Sequence, residues 1–297
     1  DLHSFPTRRS SDLLSFGDDP DGLAGADSSK LKASMMGRSK ALRNYMKAIM
    51  SDECPWCVVS ASTVGWAKRL FPDLTDEEAY LKLWDQILSA CRAKGEDPVA
   101  DWEEHISILD EKAKFLHENE LVKLHITNKL GTDLYVGLPK GHIWQSAGSY
   151  AKKASHFVAN IPTEEVFTMP HKEQTSGIVY NAKPLNYSGV LIDNFWLKFE
   201  EGKVVDFGAE RGYDVLKNLL DTDEGSRKIG EMALVPFDSP ISNTGILFLE
   251  TLFDENAACH IALGKAYPTC VKGGPEMSDE ELSAVGANDS LIHVDLT

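Results

Sequence analysis

The sequence predicts an α/β (α+β) protein, with a partial N-terminal α/β domain followed by a β-rich domain. Apolar residues recur at helical spacing within residues 30–118, and period-two alternation replaces that spacing near Asn119. From there the chain reads as strands and turns with one helix. We therefore divide it into residues 1–28, which we expect to be disordered or non-native, residues 29–120 and residues 121–297.

Composition limits the class of partner. The 297 residues include 30 Lys and Arg against 46 Asp and Glu, which gives a formal net charge of −16. A chain this acidic repels phosphate backbones and anionic lipid surfaces, so we expect no nucleic acid and no membrane as partners. Apolar residues make up 42% and charged residues 26%, values that exclude a disordered or collagen-like chain. The acidic excess instead suits a site that binds cations.

The number of cysteines indicates a cellular compartment, whereas their spacing does not indicate a redox or zinc site. There are five, an odd and low number, which predicts a reducing, cytoplasmic environment. Cys54 and Cys57 form a C-x-x-C pair, which in redox domains follows a strand and opens a helix. Here the pair precedes the predicted strand, and no second C-x-x-C exists to complete a zinc site. Both redox and zinc chemistry are therefore disfavoured at this pair.

The N-terminal domain is predicted to place helices around one strand. The opening 28 residues lack periodicity and offer little to bury, whereas residues 30–50 carry apolar positions at helical spacing. An apolar run over 56–63 suits a buried strand. Two further helices follow, because T-x-x-E at Thr75 forms a capping box and Asp97 with the following proline caps a second start. We end these helices at about residues 93 and 118.

The second domain is predicted to be mostly strand. The runs that we assign to strands are 122–126, 134–138, 142–146, 156–161, 165–169, 177–182, 189–200 and 202–210. One helix, over about 212–229, interrupts them. The chain ends within a further predicted strand, so we expect a fragment that is clipped at both ends.

Common active-site motifs do not occur. The sequence contains no G-x-x-x-x-G-K-[ST], G-x-G-x-x-G or G-x-S-x-G, which weakens nucleotide-binding and serine-hydrolase interpretations. It also lacks H-E-x-x-H, since His117-Glu118 has no second histidine. The single-zinc protease pattern is therefore excluded.

Weaker signals for a metal site remain in the last 140 residues. His293 and Asp295 lie two apart in a predicted strand and so face the same side. Glu164 and Glu165 are adjacent, so one carboxylate can enter a site while its neighbour faces solvent or a lysine. Each has a simpler explanation: a polar strand face in water for the first pair, and an exposed acidic turn for the second.

Two further positions put charged or titratable groups where burial is expected. Glu231 leads the apolar run M-A-L-V, and a buried acid must be paired, neutral or metal-bound. His260 lies among small apolar residues, where a lone histidine is more often a hydrogen-bonded core residue, and Tyr267 follows it. Together these positions offer two Glu, two His, one Asp and one Tyr, a mixture that suits a pair of zinc, cobalt or manganese ions.

Four strings in this order, NIPTEEVFTMP, GEMALVPFDSPIS, ENAACHIALGKAYP and IHVD, closely resemble the thermophilic-type metallo-aminopeptidases of peptidase family M29. The resemblance runs from about residue 40 to 297. It implies a two-metal site in the β-rich domain, which would be the catalytic domain, truncated at its C-terminus. The metal ligands that the family motifs imply are Glu165, Glu231, His260, Tyr267, His293 and Asp295. All six positions match.

The resemblance also implies an activity and an assembly. Two divalent ions can activate a water and polarise a peptide carbonyl, and one ion can bind the free α-amine of a peptide. We therefore expect removal of N-terminal residues, with Glu165 as a candidate proton relay and Tyr267 as either a ligand or a donor to the oxyanion. The family implies a homodimer. Two alternatives are another dinuclear metal hydrolase, with esterase or dipeptidase preference, and an inactive binding module.

Overall fold

The computed structural model describes residues 12–297 except 18, 24, 153, 154 and 188. Its helices are α1 Ser28–Met50, α2 Val64–Leu70, α3 Asp76–Ala90, α4 Pro98–Glu118, α5 Tyr213–Leu220, α6 Pro240–Thr244, α7 Thr251–Asp254 and α8 Asp279–Ala284. The first strands are β1 Asp12–Phe16, β2 Trp56–Ser60, β3 Lys123–Thr127, β4 Asp133–Gly137, β5 Gly148–Tyr150, β6 His156–Val158 and β7 Val166–Thr168. The remaining strands are β8 Thr175–Tyr180, β9 Leu185–Tyr187, β10 Val190–Glu200, β11 Lys203–Arg211, β12 Ile229–Leu234, β13 His260–Gly264 and β14 His293–Leu296.

The N-terminal segment is more ordered than expected. Residues 12–16 form β1, which pairs in parallel with β2, and α1 makes the crossover between them. The expectation that residues 1–28 are disordered is therefore wrong for this strand, because DLLSF pairs with the strand at 56–60. Residues 1–11 lie outside the described residues.

The predicted helix starts of α3 and α4 are confirmed. The Thr75 hydroxyl accepts from the Glu78 backbone N–H (3.3 Å), and the Glu78 carboxylate accepts from the Thr75 N–H (3.0 Å). At α4, the Asp97 carboxylate accepts from the N–H groups of Val99 and Ala100. Both caps satisfy donors that the first helical turn leaves without intrahelical partners.

The larger sheet is antiparallel, with strand order β11-β10-β8-β4-β3 and β9 paired to one end of β10. Along β10, Phe195, Leu197 and Phe199 are buried while Lys198 and Glu200 are exposed. This alternation places one face of the sheet in an apolar core and the other in solvent. The predicted strands that build this sheet are confirmed.

Two predicted elements differ from the structure. The helix expected over about 212–229 ends at Leu220, because the Ser226 hydroxyl donates to the Leu220 carbonyl and a short 3-10 turn follows. Residues 142–146 form isolated bridges, such as Gln145 with Phe167, rather than a strand. The apolar pattern alone does not show either feature, because the end of the helix depends on a side-chain hydrogen bond and the bridges depend on partners more distant in sequence.

A four-stranded antiparallel sheet, in the order β14-β13-β12-β7, packs against the same core as the larger sheet. Its core face contributes Met232, Ile261, Leu263 and Leu296, which lie in one cluster with Leu197 of β10. The opposite face of the small sheet is therefore the one available for a site.

The predicted boundary near 119–121 marks a change in secondary structure, from α4 to β3, but not a break in packing. Leu109 of α4 packs with Trp144 and Val166 beyond the boundary, and Trp66 of α2 packs with Phe253 of α7. The division into two domains therefore stays a prediction, and the structure joins both parts through shared apolar clusters.

The cysteines of the described structure are present as thiols. The described residues include all five cysteines, and none of them forms a disulfide. Burial raises the pKa of the Cys57 thiol, which makes the reactive thiolate scarcer. Within the described residues, no helix has the length and apolar character needed to cross a bilayer.

Candidate metal centre

The register of the small sheet brings Glu231 and Asp295 into one row. Glu231 of β12 lies opposite Ala262 of β13, and Ala262 lies opposite Asp295 of β14. Residues opposite one another in neighbouring strands point to the same face. Two carboxylates therefore flank an alanine, whose small side chain leaves space between them.

The two histidines enter the same face through the period of two. His260 lies two residues before Ala262, opposite Ala233, and His293 lies two residues before Asp295, opposite Gly264. The small residues across from each imidazole leave room for the rings. The prediction that His293 and Asp295 face one side of a strand is confirmed.

A bulge at Gly230 sets the direction of Glu231. Ile229 lies opposite Leu263 and Glu231 opposite Ala262, so the register shifts between them. Without that shift, residues two apart would face the same side, and Ile229 could not enter the core while Glu231 enters the site. A Cβ at position 230 would lie 2.4 Å from the Gly264 carbonyl oxygen, so glycine is required by this close approach.

Glu164 and Glu165 diverge immediately before β7. The structure places them before the strand, which begins at Val166, whereas we predicted that they lie on it. Both are buried, with 3% and 5% exposure, so the alternative of an exposed acidic turn is wrong. Glu165 reaches the site face, and Glu164 pairs with Arg92 rather than with solvent or a lysine.

Three side chains form a first ligand group: Glu165, Glu231 and His260. The Nε2 atom of His260 lies 3.1 Å from Glu165 Oε2 and 3.7 Å from Glu231 Oε1. Asp295 Oδ1 is 3.9 Å from the same nitrogen. Glu165, Glu231 and His260 each offer one ligand atom, and these three atoms lie within 4.8 Å of one another, which is close enough to hold one ion.

A second ligand group consists of Glu231, His293 and Asp295. His293 Nε2 lies 3.6 Å from Glu231 Oε2 and 3.6 Å from Asp295 Oδ1. Glu231 thus belongs to both groups, with one oxygen near each histidine. The arrangement has the form of two adjoining cation sites that share a carboxylate.

Backbone carbonyls orient both imidazoles. His260 Nδ1 donates to the Ala258 carbonyl (3.2 Å), and His293 Nδ1 donates to the Lys265 carbonyl (2.7 Å). A carbonyl can only accept, so the proton is on Nδ1 and the lone pair of each neutral ring is on Nε2. Such outer hydrogen bonds fix the tautomer that a histidine ligand needs.

The local electrostatics favour a cation. Burial, together with the neighbouring charges of Glu165 and Asp295, raises the pKa of Glu231 to about 7. Burial alone would lower the pKa of His260, but the carboxylates of Glu165 and Glu231 raise it well above its usual range. A site that attracts protons in this way also attracts divalent ions, which compete for the same lone pairs.

Glu165 Oε2 and His260 Nε2 are buried and lie 3.1 Å apart, but neither forms a hydrogen bond with a described residue, because both are acceptors when the proton of the imidazole is on Nδ1. Leaving buried polar atoms unsatisfied is costly, so they call for a partner. Both belong to the first ligand group and point into it. A divalent ion with borderline preference for carboxylate and imidazole ligands fits this donor set.

Tyr267 lies at the edge of the centre. Its ring is half-buried and packs edge-on against His293, with centroids 5.1 Å apart, and against Phe167 at 5.8 Å. Burial raises the pKa of its hydroxyl well above the usual range, and Glu231 and Asp295 add to this. Its role as ligand or oxyanion donor stays a prediction.

A further carboxylate that no sequence motif indicated, Glu255, lies near the centre. It is buried, and its pKa is raised well above the usual range by burial and by the charges of Asp295 and Glu165. Its side chain accepts from the amide of Asn256 at 3.3 Å. The polar run Asp254–Asn256 has the composition of a turn. The one sequence feature that could have indicated burial of Glu255 is that apolar residues flank this run on both sides.

A cavity of about 490 Å³ opens onto the centre. Glu165, Glu231 and His293 line one wall, and Glu255 and Tyr267 also border it. The N-terminal part of the chain contributes a mainly apolar set of lining residues, namely Leu14, Phe16, Tyr45, Met46, Ile49, Met50, Trp56 and Val58. The cavity lining therefore combines charged and apolar side chains, as a substrate site does.

Comparisons with known proteins identify the family of this chain. The family model of the thermophilic metalloproteases, M29, matches residues 5–297. The chain is 48% identical over 276 residues to the aminopeptidase AmpS of Bacillus subtilis (strain 168). That alignment covers 93% of this chain and 67% of AmpS. The chain is 47% identical over 279 residues to aminopeptidase T of Thermus aquaticus, covering 94% and 68%.

A solved structure has the same fold. Wild-type AmpT from Thermus thermophilus superposes with a TM-score of 0.87 at 41% identity, over 97% of this chain and 69% of that one. The chain thus spans about two thirds of the length of these relatives. It belongs to the M29 family of thermophilic metalloproteases and is a metallo-aminopeptidase.

Proposed function

We propose that this chain removes N-terminal residues from peptides with a free α-amine, using two divalent ions. The observation that carries this proposal is that Glu231 belongs to two ligand groups at once. Glu165 and His260 would complete one ion's site, and His293 and Asp295 the other. Two ions held there would lower the pKa of a shared water and polarise the peptide carbonyl.

The residues of the chain would then have distinct roles. Glu231 would be a ligand of both ions, because its two oxygens face different histidines. Glu165 would act as ligand and proton relay, since its Oε2 atom has no hydrogen-bond partner among the described residues. Tyr267 borders the same cavity, where its hydroxyl would bind an ion or donate to the oxyanion.

Glu255 is a further candidate for this machinery. It lines the cavity, and the negative charges of Asp295 and Glu165 lie close enough to raise its pKa. We infer that it is either an additional ligand or the group that holds a proton next to the shared water. If Glu255→Gln keeps both ions bound but loses the acidic limb of the pH profile, the proton role is supported.

The donor set suits zinc, cobalt or manganese, because carboxylate oxygens and imidazole nitrogens bind all three. Metal content after expression in media that contain each ion would identify the one that the chain selects. A strong preference for magnesium would argue against this assignment, since magnesium favours oxygen ligands.

A homodimer is the assembly that the family resemblance implies, and we propose it here. Light scattering of the purified chain is expected to give twice the mass of 32.8 kDa. A mass of one chain at all concentrations would contradict the proposal.

A cytoplasmic location is proposed from cysteine usage. None of the five cysteines forms a disulfide in the described structure, as a reducing compartment requires. Fractionation of cells that express the natural gene would test this, and recovery in an extracellular fraction would contradict it.

The proposed activity is tested with a panel of peptides that differ only at the N-terminus. Free peptides should lose one residue at a time, and their acetylated counterparts should resist cleavage. A chelator should abolish the activity, and divalent ions should restore it. Cleavage of acetylated peptides or of simple esters at equal rates would favour another dinuclear hydrolase, and a chain that binds ions without turnover would favour a binding module.

A further inference from the structure

A buried ion pair involves Glu164, the residue that immediately precedes Glu165. Arg92 follows α3, and its guanidinium forms two parallel hydrogen bonds to Glu164, from Nη1 to Oε1 at 2.5 Å and from Nη2 to Oε2 at 2.9 Å. The side chain of Arg92 is 18% exposed and that of Glu164 only 4%. A fork of this kind fixes the direction of a carboxylate as well as its position.

The backbone around Glu164 is held on two further sides. The Glu164 N–H donates to the buried Asn256 amide oxygen at 2.7 Å. His105 of α4 donates from Nε2 to the Thr163 carbonyl, also at 2.7 Å, because a carbonyl can only accept. Three elements distant in sequence therefore fix the residues that precede Glu165.

Arg92 is itself held in place where the end of α3 meets α4. Its backbone lies in the left-handed region (φ +53°), and its guanidinium faces the Trp102 ring at 5.8 Å. The Trp102 indole donates to the Cys91 carbonyl at 2.8 Å, which ties α4 to the end of α3. The arginine thus presents a preformed fork to Glu164 with little freedom left to lose.

We propose that Arg92 and Glu164 are positioning residues that aim Glu165 into the first ligand group. This inference rests on the proposed two-metal function. A pair this buried adds little net folding free energy, because desolvation offsets the attraction, whereas its geometry is specific. Because Glu164 and Glu165 are adjacent, holding the carboxylate and the backbone N–H of Glu164 restrains the backbone from which the Glu165 side chain extends into the ligand group.

The proposal makes an asymmetric prediction for the two ions. Glu165 belongs to the group with His260, whereas the group of His293 and Asp295 does not include it. Loosening Glu164 should therefore weaken one ion site and leave the other nearly unchanged. A merely structural role would weaken both sites together or neither.

The test is a Co²⁺ titration of the full chain after its metals have been removed. Stepwise affinity and the visible absorption of bound cobalt are measured for wild type, Arg92→Met and Arg92→Lys. We expect one of two sites to weaken by about 10- to 100-fold in both variants, as when an outer partner of a metal ligand is lost. Lysine keeps the charge but cannot form the fork, so it should not rescue the site.

Arg227→Met is the matched control. Arg227 also pairs with a carboxylate, that of Asp221 at 2.6 Å, and also faces an aromatic ring, that of Phe207 at 5.8 Å. Its side chain is 23% exposed, close to the 18% of Arg92, but it contacts no residue of the centre. Both cobalt affinities should be unchanged in this variant.

A second variant guards against misfolding. Arg92→Met with Glu164→Leu replaces both charges by apolar groups, which buried ion pairs commonly tolerate, and should show the same selective weakening. Wild-type affinity at both sites in this double variant would overturn the positioning role, as would equal weakening of both sites. A wild-type chain that binds no cobalt would overturn the metal centre itself, a result distinct from these.

Discussion

The two large sheets share one apolar core, yet they use their other faces differently. In the six-stranded sheet, that other face is in solvent, so β10 alternates buried Phe195 and Leu197 with exposed Lys198. In the four-stranded sheet, both faces are buried, and β13 is buried at every residue from His260 to Gly264. Its second face carries two ligand groups instead of apolar side chains.

The comparison shows what a buried charged face requires. Alternation alone builds the larger sheet, because water solvates its polar face. The smaller sheet needs alanines and a glycine opposite the ligands, a bulge at Gly230 and carbonyl acceptors for both histidines. Its two faces can therefore be tested separately by substitutions at neighbouring residues.

The largest expected effect comes from removing the shared ligand. Glu231→Gln keeps the shape of the side chain but lacks the charge that faces both histidines, so both ion sites should fail. Loss of metal assistance corresponds to several kcal/mol, so kcat/KM should fall by about 10³-fold or more. Peptide hydrolysis measured beside the exposed control Glu200→Gln checks this, and activity within tenfold of wild type would contradict it.

A pH effect on stability should follow from buried Glu250. Burial raises the pKa of its carboxyl from the ordinary 4.5 to about 7, with Asp254 adding to the shift. The folded metal-free chain therefore retains a proton that the unfolded chain releases, and it loses stability as the pH rises from about 4.5 to about 7. The loss assigned to this group is about 3 kcal/mol.

Urea unfolding of wild type and Glu250→Gln, near pH 4 and near pH 8, measures this effect. The variant should lose less stability than wild type over that range, because glutamine does not titrate. Some pH dependence should remain, since burial also raises the pKa of Asp254 to about 6. Equal pH dependence in the two proteins would refute the assignment.

The bulge is tested by Gly230→Ala. The added Cβ would lie 2.4 Å from the Gly264 carbonyl oxygen, so the strand must shift, at a cost of about 2 kcal/mol in the free energy of unfolding. Cobalt affinity should fall too, because the shift moves Glu231. Gly37→Ala, where a Cβ meets nothing within 4 Å, is the control and should be neutral or stabilising. Similar behaviour of the two variants would refute the role of the bulge.

The smallest expected effects separate the two faces of β13. Ala262→Val adds two methyl groups between Glu231 and Asp295 and should weaken metal binding about tenfold, equivalent to about 1.4 kcal/mol. Ile261→Val, one residue earlier on the core face, should cost about 1 kcal/mol of stability and leave metal binding unchanged. Cobalt titration and urea unfolding of both variants check this, and a reversal would show that the faces are assigned wrongly.

Much of the fold could be predicted from the sequence, because caps and alternation are local. Thr75 and Asp97 mark the starts of α3 and α4, and the apolar pattern indicates the strands of the larger sheet. The end of α5 was missed because it depends on the Ser226–Leu220 hydrogen bond, which the apolar pattern does not show, and the pairing of β1 could not be predicted because its partner lies about 44 residues away in sequence.

The centre was predictable only in part. Period two places His293 with Asp295, and the family motifs imply Glu165, Glu231 and His260, which the structure brings together. Glu255 was missed because its neighbours read as a turn, and Arg92 because its importance depends on a contact 72 residues away in sequence. The bulge at Gly230 depends on cross-strand register, which no local pattern shows.

The central claim is that one face of the small sheet holds two ions that share Glu231. It is tested most directly by metal content per chain, measured by plasma mass spectrometry after dialysis, with Glu231→Ala beside wild type. We predict close to two ions per wild-type chain and a fall to one or fewer in the variant. One ion or none in wild type, or two in the variant, would contradict the claim.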